Sequence, residues 1–545
     1  MPDGSGFTIP TILIDGQPLD SAFALLGIDV THAVNRIPTA TISLQAPGTL
    51  TGEAPLLAGG PFAPAAEVEI KLRGADGNDV GVCKGLVTAL AWHTRDGAPT
   101  LEVVVKDKAN RLTGARHSKI WSDMADSDAI RGIVEAASLA MGDAPDTQPV
   151  HKTLVQYDAT DWDFILSRAD ALGLVVVARD GTLSLAKMDV GGAAARTFAL
   201  GLDAIDDVQF ELDAATQAPS LSGVVWDPDQ LAAAAPADAD VLALPQGGIG
   251  GDTVGDALGA GPAQLIHMVP LPAAEAKAWA ASRMARERLA LIQGRLSVPG
   301  LPDAQLMEVA TLQGFGDRLN GKALVTGVRH RLDSRGFSTD LQFGLPAAPV
   351  GRLPDIADMA AGGLLPPISG LQLGTVTDNQ DPDGEARVKV SVPAILTDPA
   401  ESLWARVVSP DAGGKRGFCF LPEVGDEVLV GFLNGDPRHP VVVGRLHGSK
   451  NALPDGFTDG KQKGIVAKSD ARIMFSEADK PAITISTPDG RKIVLDDDAQ
   501  TITLSDKNDN KIVLDAAGIT IESAKDLTLK AQGAVKVSGA SIDLN

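Results

Sequence analysis

Between Ile483 and Leu544 apolar side chains recur in twos, one residue apart: Ile483/Ile485, Ile493/Leu495, Ile502/Leu504, Ile512/Leu514, Ile519/Ile521, Leu527/Leu529, Val535/Val537 and Ile542/Leu544. The hexapeptide RKIVLD at 491–496 returns as NKIVLD at 510–515, and Ile519, Leu527 and Val535 step by eight. Period-two spacing puts both members of a pair on one face of a strand. A short fixed repeat of this kind marks a repetitive β architecture. No helix or second sheet follows to cover the apolar face, and a lone ribbon with two open edges is an aggregation template. Wrapping three copies round a common axis buries every pair and hands each edge to a neighbouring chain. Each buried Ile, Leu or Val is worth roughly 1.5–3 kcal/mol, so the eight pairs contribute tens of kcal/mol before entropy is subtracted. The sixteen side chains are therefore the expected core of an intertwined trimeric β prism. The alternative is a single-chain β-helix, whose rungs usually need about 20 or more residues. An eight-residue step is too short for that.

Composition fits a mainly β chain with several cores. With 545 residues and 44% hydrophobic content, roughly three to five domains are expected. Aromatics at 4% beside 58 Gly and 35 Pro favour short strands and turns. The formal net charge of -23 repels nucleic acid and anionic headgroups at long range, so no nucleic-acid partner is expected. Nearly all the excess acid lies in residues 1–450, with 35 basic against 55 acidic side chains. Such a surface keeps a large assembly soluble. Cys83 and Cys419 fall in segments assigned to different domains, so no disulfide framework follows. The N-terminus MPDGSGFTIPTILIDG has no basic leader, and the longest apolar runs, such as Leu174 to Ala178, fall short of a membrane span. Synthesis and assembly in the cytoplasm are expected, with any later exit by another route.

From Ile9 to Leu112 the pattern alternates, as in Val68, Ile70, Leu72 and Leu101, Val103, Val105, which predicts a β barrel or sandwich. Asp126 and Ser127 are expected to cap a helix with Ile130, Ile133, Val134, Ala137 and Met141 on one face. Thr160 and Asp163 form a capping box for a second helix carrying Trp162, Ile165, Ala169 and Leu172, stopped by Gly173. Strands resume at Leu174 to Ala186, and Asp213 to Gly261 reads as a loose surface excursion. Ala273 to Ile292 should be a helix, followed by strands through Phe343. Pro346 to Pro367 has linker composition and places the main boundary. Residues 370–447 hold about five strands, around Val388/Val390/Val392, Trp404–Val408, Val428/Val430/Phe432 and Val441–Val443, which suits a small Greek-key barrel of the OB type.

Candidate chemistry is sparse. Gly248 and Gly250 lack the strand-to-helix context of a nucleotide loop. Asn379, Asp381, Asp383 and Gly384 imitate the start of a calcium loop, but position twelve is Val390, and a tight turn explains them better. His439 and His447 have no second ligand pair and read as surface or interface residues. Asp496, Asp497 and Asp498 form a solvated corner between strands rather than a glycosidase pair. Cys419, in GFCFLP, reads as a packed hydrophobe in an apolar strand. No catalytic, cofactor-binding or metal residue is assigned.

The stretch GLQLGTVTDNQDPDGEARVKVSVP, followed by SLWARVVSPDAGGKRGFCFLPEVGDEVLVGFLNGDPRHPVVVGRLHG, resembles the VgrG spike family of contractile injection systems. Its core is Leu421-Pro422-Glu423-Val424-Gly425-Asp426-Glu427-Val428, then Phe432, Gly435-Asp436-Pro437 and Pro440-Val441-Val442. Tyr157-Asp158-Ala159-Thr160-Asp161-Trp162-Asp163-Phe164 resembles that family's hub insertion. DPDG, FLPEVGDEVLVGF and the IVLD repeats are closer to spikes of extracellular, phage-tail-like particles than to the type VI form. The resemblance implies a first hub β barrel at 1–112, an α/β insertion at 113–190, a second hub barrel at 191–348, a linker at 349–369, an OB-fold domain at 370–448 and a trimeric needle at 449–545. It also implies a homotrimer, inner-tube and baseplate partners at the hub, and a PAAR-type tip protein meeting Leu544 and Asn545. Cargo effectors, transient contact with a target membrane and release within a particle follow from the same likeness. With the last pair at Ile542/Leu544, no fused toxin is expected. A tail-carried envelope-degrading enzyme is the alternative, although only Asn451 to Ile473 separates barrel from needle. The spike of a true contractile phage tail is the third reading.

Overall fold

The computed structural model describes residues 9–45, 60–74, 77–95, 98–227, 230–244, 246–267, 270–352, 367–393, 395, 402–477 and 479–544. The chain divides into two compact units, Met1–Asp358 and Met359–Asn545.

In the first unit the alternating segments form strands as expected. Thr39–Gln45 buries Ala40, Ile42 and Leu44, and Glu67–Arg73 buries Val68, Ile70 and Leu72. With Leu101, Val103 and Val105 from Ala98–Lys106, these side chains form one core. Phe198, Leu296, Leu312, Val325, Leu341 and Phe343 belong to another. The two expected barrels nevertheless share one sheet. Strand Ala24–Ala33 pairs antiparallel with Gly321–Asp333, from Leu332 opposite Ile28 to Gly327 opposite Ala33, and joins both sets of strands into thirteen. Mutual pairing removes an open edge from each half. Arg329 reinforces the seam, its Nε donating to Asp29 Oδ1 at 2.9 Å.

Helix α1 (Asp126–Ala136) corrects one detail of the insertion. Asp126 and Ser127 begin the helix rather than cap it, because both are buried and otherwise engaged. Asp126 accepts from Arg168 Nε at 2.6 Å, and the Ser127 amide donates to Thr147 Oγ1 at 2.9 Å. Helix α2 (Asp161–Ala171) has the expected cap, with Thr160 Oγ1 accepting from the Asp163 amide at 3.1 Å. Trp121 stacks on Phe164 of α2 with ring centroids 5.1 Å apart. Val350, assigned to the linker by sequence, is buried in this core, and its amide donates to Asp170 Oδ2 at 3.0 Å.

The loose stretch at 213–261 is also more ordered than expected. Strand Leu221–Asp227 pairs parallel with Ala263–His267, and helix α3 (Gly251–Ala257) lies between them in sequence. Leu221 packs on Ala280 and Met284 of helix α4 (Ala273–Ala290). A Cβ at Gly223 would stand 2.6 Å from the Ala276 carbonyl oxygen, so only glycine permits this strand–helix approach. Among the described residues no helix is long and apolar enough to cross a membrane.

The second unit opens with a closed five-stranded barrel, in barrel order Gln372–Asp378, Val388–Ser391, Leu403–Val407, Pro440–Arg445 and Glu427–Phe432. Its core is almost entirely valine: Val376, Val388, Val390, Val392, Val428, Val430 and Val442, with Ala405. Side chains this small suit the narrow interior of a five-stranded barrel. A seven-stranded antiparallel meander, Gln462–Val466 through Gly518–Glu522, follows the barrel.

A candidate assembly face

Each strand of the meander is five residues long, and tight turns join the strands. At one turn the Thr487 amide donates to the Arg491 carbonyl at 3.0 Å, and Gly490 takes the positive φ of 80° that the bend requires. The nineteen-residue sequence repeat equals two strands and two turns, so repeated residues return to the same edge. Ion pairs lace turns eighteen apart, with Lys507 Nζ 2.7 Å from Asp489 Oδ1 on one edge and Lys480 beside Asp498 on the other. Such exposed pairs are worth roughly 0–1 kcal/mol each. Asp498 therefore sits in a solvated corner with Asp496 and Asp497, as expected, and Asp496 Oδ1 accepts from the amides of Asp498 and Ala499 at 2.9 Å.

The registers stack the apolar pairs into two continuous columns. One runs Ile465, Ile473, Ile485, Ile493, Leu504, Ile512, Ile521; the other runs Phe475, Ile483, Leu495, Ile502, Leu514, Ile519. Among the described residues nothing covers them. Ile483, Ile485, Ile493, Leu495, Ile502 and Leu504 are each 38–43% exposed, whereas core aliphatics of the barrel are at 0–1%. Between turns the face hollows into a groove of about 610 Å³ lined by Ile485, Ile493, Leu504, Ile512, Ile521 and Leu527. Ten of the sixteen sequence-assigned side chains thus share one face. The other six, Leu527, Leu529, Val535, Val537, Ile542 and Leu544, are exposed, and among the described residues none beyond Glu522 is in a strand. Asn545 lies outside the described residues. Sequence reasoning missed Ile465, Ile473 and Phe475, although the alternation of Ile473 and Phe475 carries the same signal.

Elsewhere the polar candidates satisfy one another. Asp381 accepts from the amides of Asp383, Glu385 and Arg387 and from the Arg387 guanidinium, which holds its carboxyl well below the usual carboxylate range. Together with Gly384 at φ 68° this is a turn. His439 and His447 are exposed, and His447 Nδ1 lies 3.2 Å from the Asn451 carbonyl oxygen. Gly250 directly precedes α3, but among the described residues no long strand leads into it. Among the described residues no group of three His, Cys, Asp or Glu could hold a metal ion. Cys419 corrects the sequence reading: it is exposed, and residues 418–422 are in no strand, with Phe418 and Phe420 about half exposed. Cys83 is buried, which pushes its thiol up to about 12.

Residues 372–447, the closed barrel, match the type VI secretion system/phage-baseplate injector OB domain. Residues 482–545 match the phage baseplate V C-terminal trimerisation domain. A barrel of the one kind followed by an uncovered apolar sheet of the other defines a VgrG-type spike protein of the type VI secretion and phage-baseplate class. Residues 5–334 match the Alg8 N-terminal domain over more than half of the chain, and the chain belongs to that family. The type VI secretion system spike protein VgrG3 of Vibrio cholerae is 35% identical over 108 residues, covering 18% of this chain and 11% of the relative. VgrG5 of Pseudomonas aeruginosa is 44% identical over 64 residues, 12% of this chain and 8% of the relative. The chain thus aligns with about a tenth of the length of these curated relatives. Among solved structures, the 43 kDa tail protein of prophage MuSo2 from Shewanella oneidensis has a TM-score of 0.46 at 11% identity, covering 62% of this chain and 99% of that one.

Proposed function

We propose that three copies of this chain form the structural central spike of a contractile injection system. The observation that carries this reading is the pair of uncovered apolar columns in a segment matched to a trimerisation domain, directly after an injector OB domain. In the trimer the sixteen side chains from Ile483 to Leu544 line a common axis, and the chain beyond Glu522 gains the strand neighbours it lacks alone. The hub at 1–348 joins the needle to inner-tube and baseplate proteins. The two sets of strands that share the thirteen-stranded sheet, times three chains, offer six near-equivalent positions to a hexameric tube. Leu544 and Asn545 meet a conical PAAR-type tip protein, and the spike travels with cargo effectors through a target membrane that it touches transiently. Its role is mechanical, with no catalytic step. Assembly is cytoplasmic, and the particle is of the extracellular, phage-tail-like form.

Light scattering on the purified full chain tests the central claim. A mass of three chains is expected, and a single-chain mass overturns it. Imaging of particles made without this protein tests the hub. Tubes that assemble in full without it would remove that role.

A further inference from the structure

Among the described residues, the pairing of Ala24–Ala33 with Gly321–Asp333 is the one ladder that joins the two sets of hub strands. His32 stands opposite Val328 and His330 opposite Val30, so the two imidazoles sit diagonally across that joint on one face. Val30 belongs to the core of the first set and Val328 to that of the second, which places both rings where the two cores meet. His330 is buried, and the rings are 6.5 Å apart. Their hydrogen-bonding neighbours are neutral. His32 Nε2 lies 2.8 Å from the Val82 carbonyl oxygen, and His330 Nδ1 lies 3.0 Å from Thr339 Oγ1. The ring of Phe337 stands 5.9 Å from that of His330.

The charges around the pair do not offset new positive charge on it. Burial lowers His330, and His32 and Arg179 push the same way. Burial also lowers His32; the Val82 carbonyl opposes it, Arg179 adds to it and Asp180 opposes it. The ion pairs of the joint use odd-numbered positions, which lie on the other face: Arg329 with Asp29, and Arg331, whose Nη2 is 2.9 Å from Asp340 Oδ2.

We propose that this joint is an acid-operated hinge of the hub: protonation of His32 and His330 parts strand Ala24–Ala33 from Gly321–Asp333 while each set of strands keeps its own core. Opening brings both rings to water, where an imidazole takes up its proton near pH 6.5. Above that value the open form gains nothing. Below it, each buried imidazole raises the ratio of open to closed joint by about tenfold per pH unit, until the closed form also protonates. The inference rests on the fold of the first unit and holds whether or not copies of the chain assemble.

Hydrogen exchange of the full chain, read by mass spectrometry and divided by the intrinsic rate at each pH, tests it. Between about pH 7.5 and 4.5, protection of peptides from 24–33 and 321–333 should fall about a hundredfold for His330 alone, and further with His32. Glu67–Arg73 and Ile292–Pro299, one in each set of strands, should stay within about twofold. His330→Gln should leave only the part due to His32, and His32→Gln with His330→Gln should leave none. The unaltered chain decides the matter even where a variant does not fold. Level protection at the joint over that range overturns the proposal. So does an equal loss at Glu67–Arg73 and Ile292–Pro299, because the imidazoles then titrate only when the whole unit unfolds.

Discussion

His330 lies at the seam of the thirteen-stranded sheet, where burial pushes its imidazole down to about 3. Its Nδ1 lies 3.0 Å from Thr339 Oγ1, its ring is 6.5 Å from that of His32, and Arg179 adds a repulsive charge. His32 is lowered in the same direction by its own burial. A histidine whose folded pKa is depressed holds fewer protons when folded than when unfolded. Stability is therefore full above about 6.5 and falls as pH drops from there toward 3, with a slope on the order of 1.4 kcal/mol per pH unit for one such group. Urea midpoints of the first unit should fall between pH 6.5 and 4.5, and His330→Gln should flatten the slope. A midpoint that stays level over that range in the unaltered chain would contradict the assignment. At this scale the Thr160 cap was legible because it uses neighbours in sequence. The engagement of Asp126 by Arg168 and the exposure of Cys419 were not, because both depend on what distant segments bring or fail to bring.

At the scale of elements, the needle strands were readable from period-two spacing, and the barrel from its valine alternation. Ladder registers added what spacing alone leaves open: that ten pair members fall into two columns, and that the columns begin two strands earlier. Ile493→Asp places a carboxylate from each copy in the proposed core, where an unpaired buried charge costs several kcal/mol or more. Light scattering should show loss of the trimer, whereas Lys507→Ala, which breaks only an exposed pair with Asp489, should leave the mass unchanged. Retention of the trimer by Ile493→Asp would place the interface elsewhere. The stretch at 213–261 was misread because its Ala and Gly runs mimic a loop. Burial of Leu221 against α4 organises it, and that contact is invisible to local pattern.

At the scale of the whole molecule, separate cores imply separate cooperativity. The first unit holds large mixed cores and the second a small valine barrel plus a sheet whose apolar face is exposed in the single chain. Calorimetry of the full chain should show at least two transitions, and the one for the needle should rise with protein concentration if unfolding dissociates the copies. A single transition independent of concentration would speak against that division. The sequence by itself determined the mainly β class, the five-stranded barrel and the apolar pairs of the meander, because alternation, turn residues and repeats are local properties of a chain. Tertiary structure alone decided that both sets of hub strands share one sheet, that Val350 belongs to the insertion core, that Cys419 is exposed and that the needle columns start at Ile465 and Phe475. Each depends on which distant backbone offers a hydrogen-bonded edge or a covering surface, and no spacing within a segment encodes that choice.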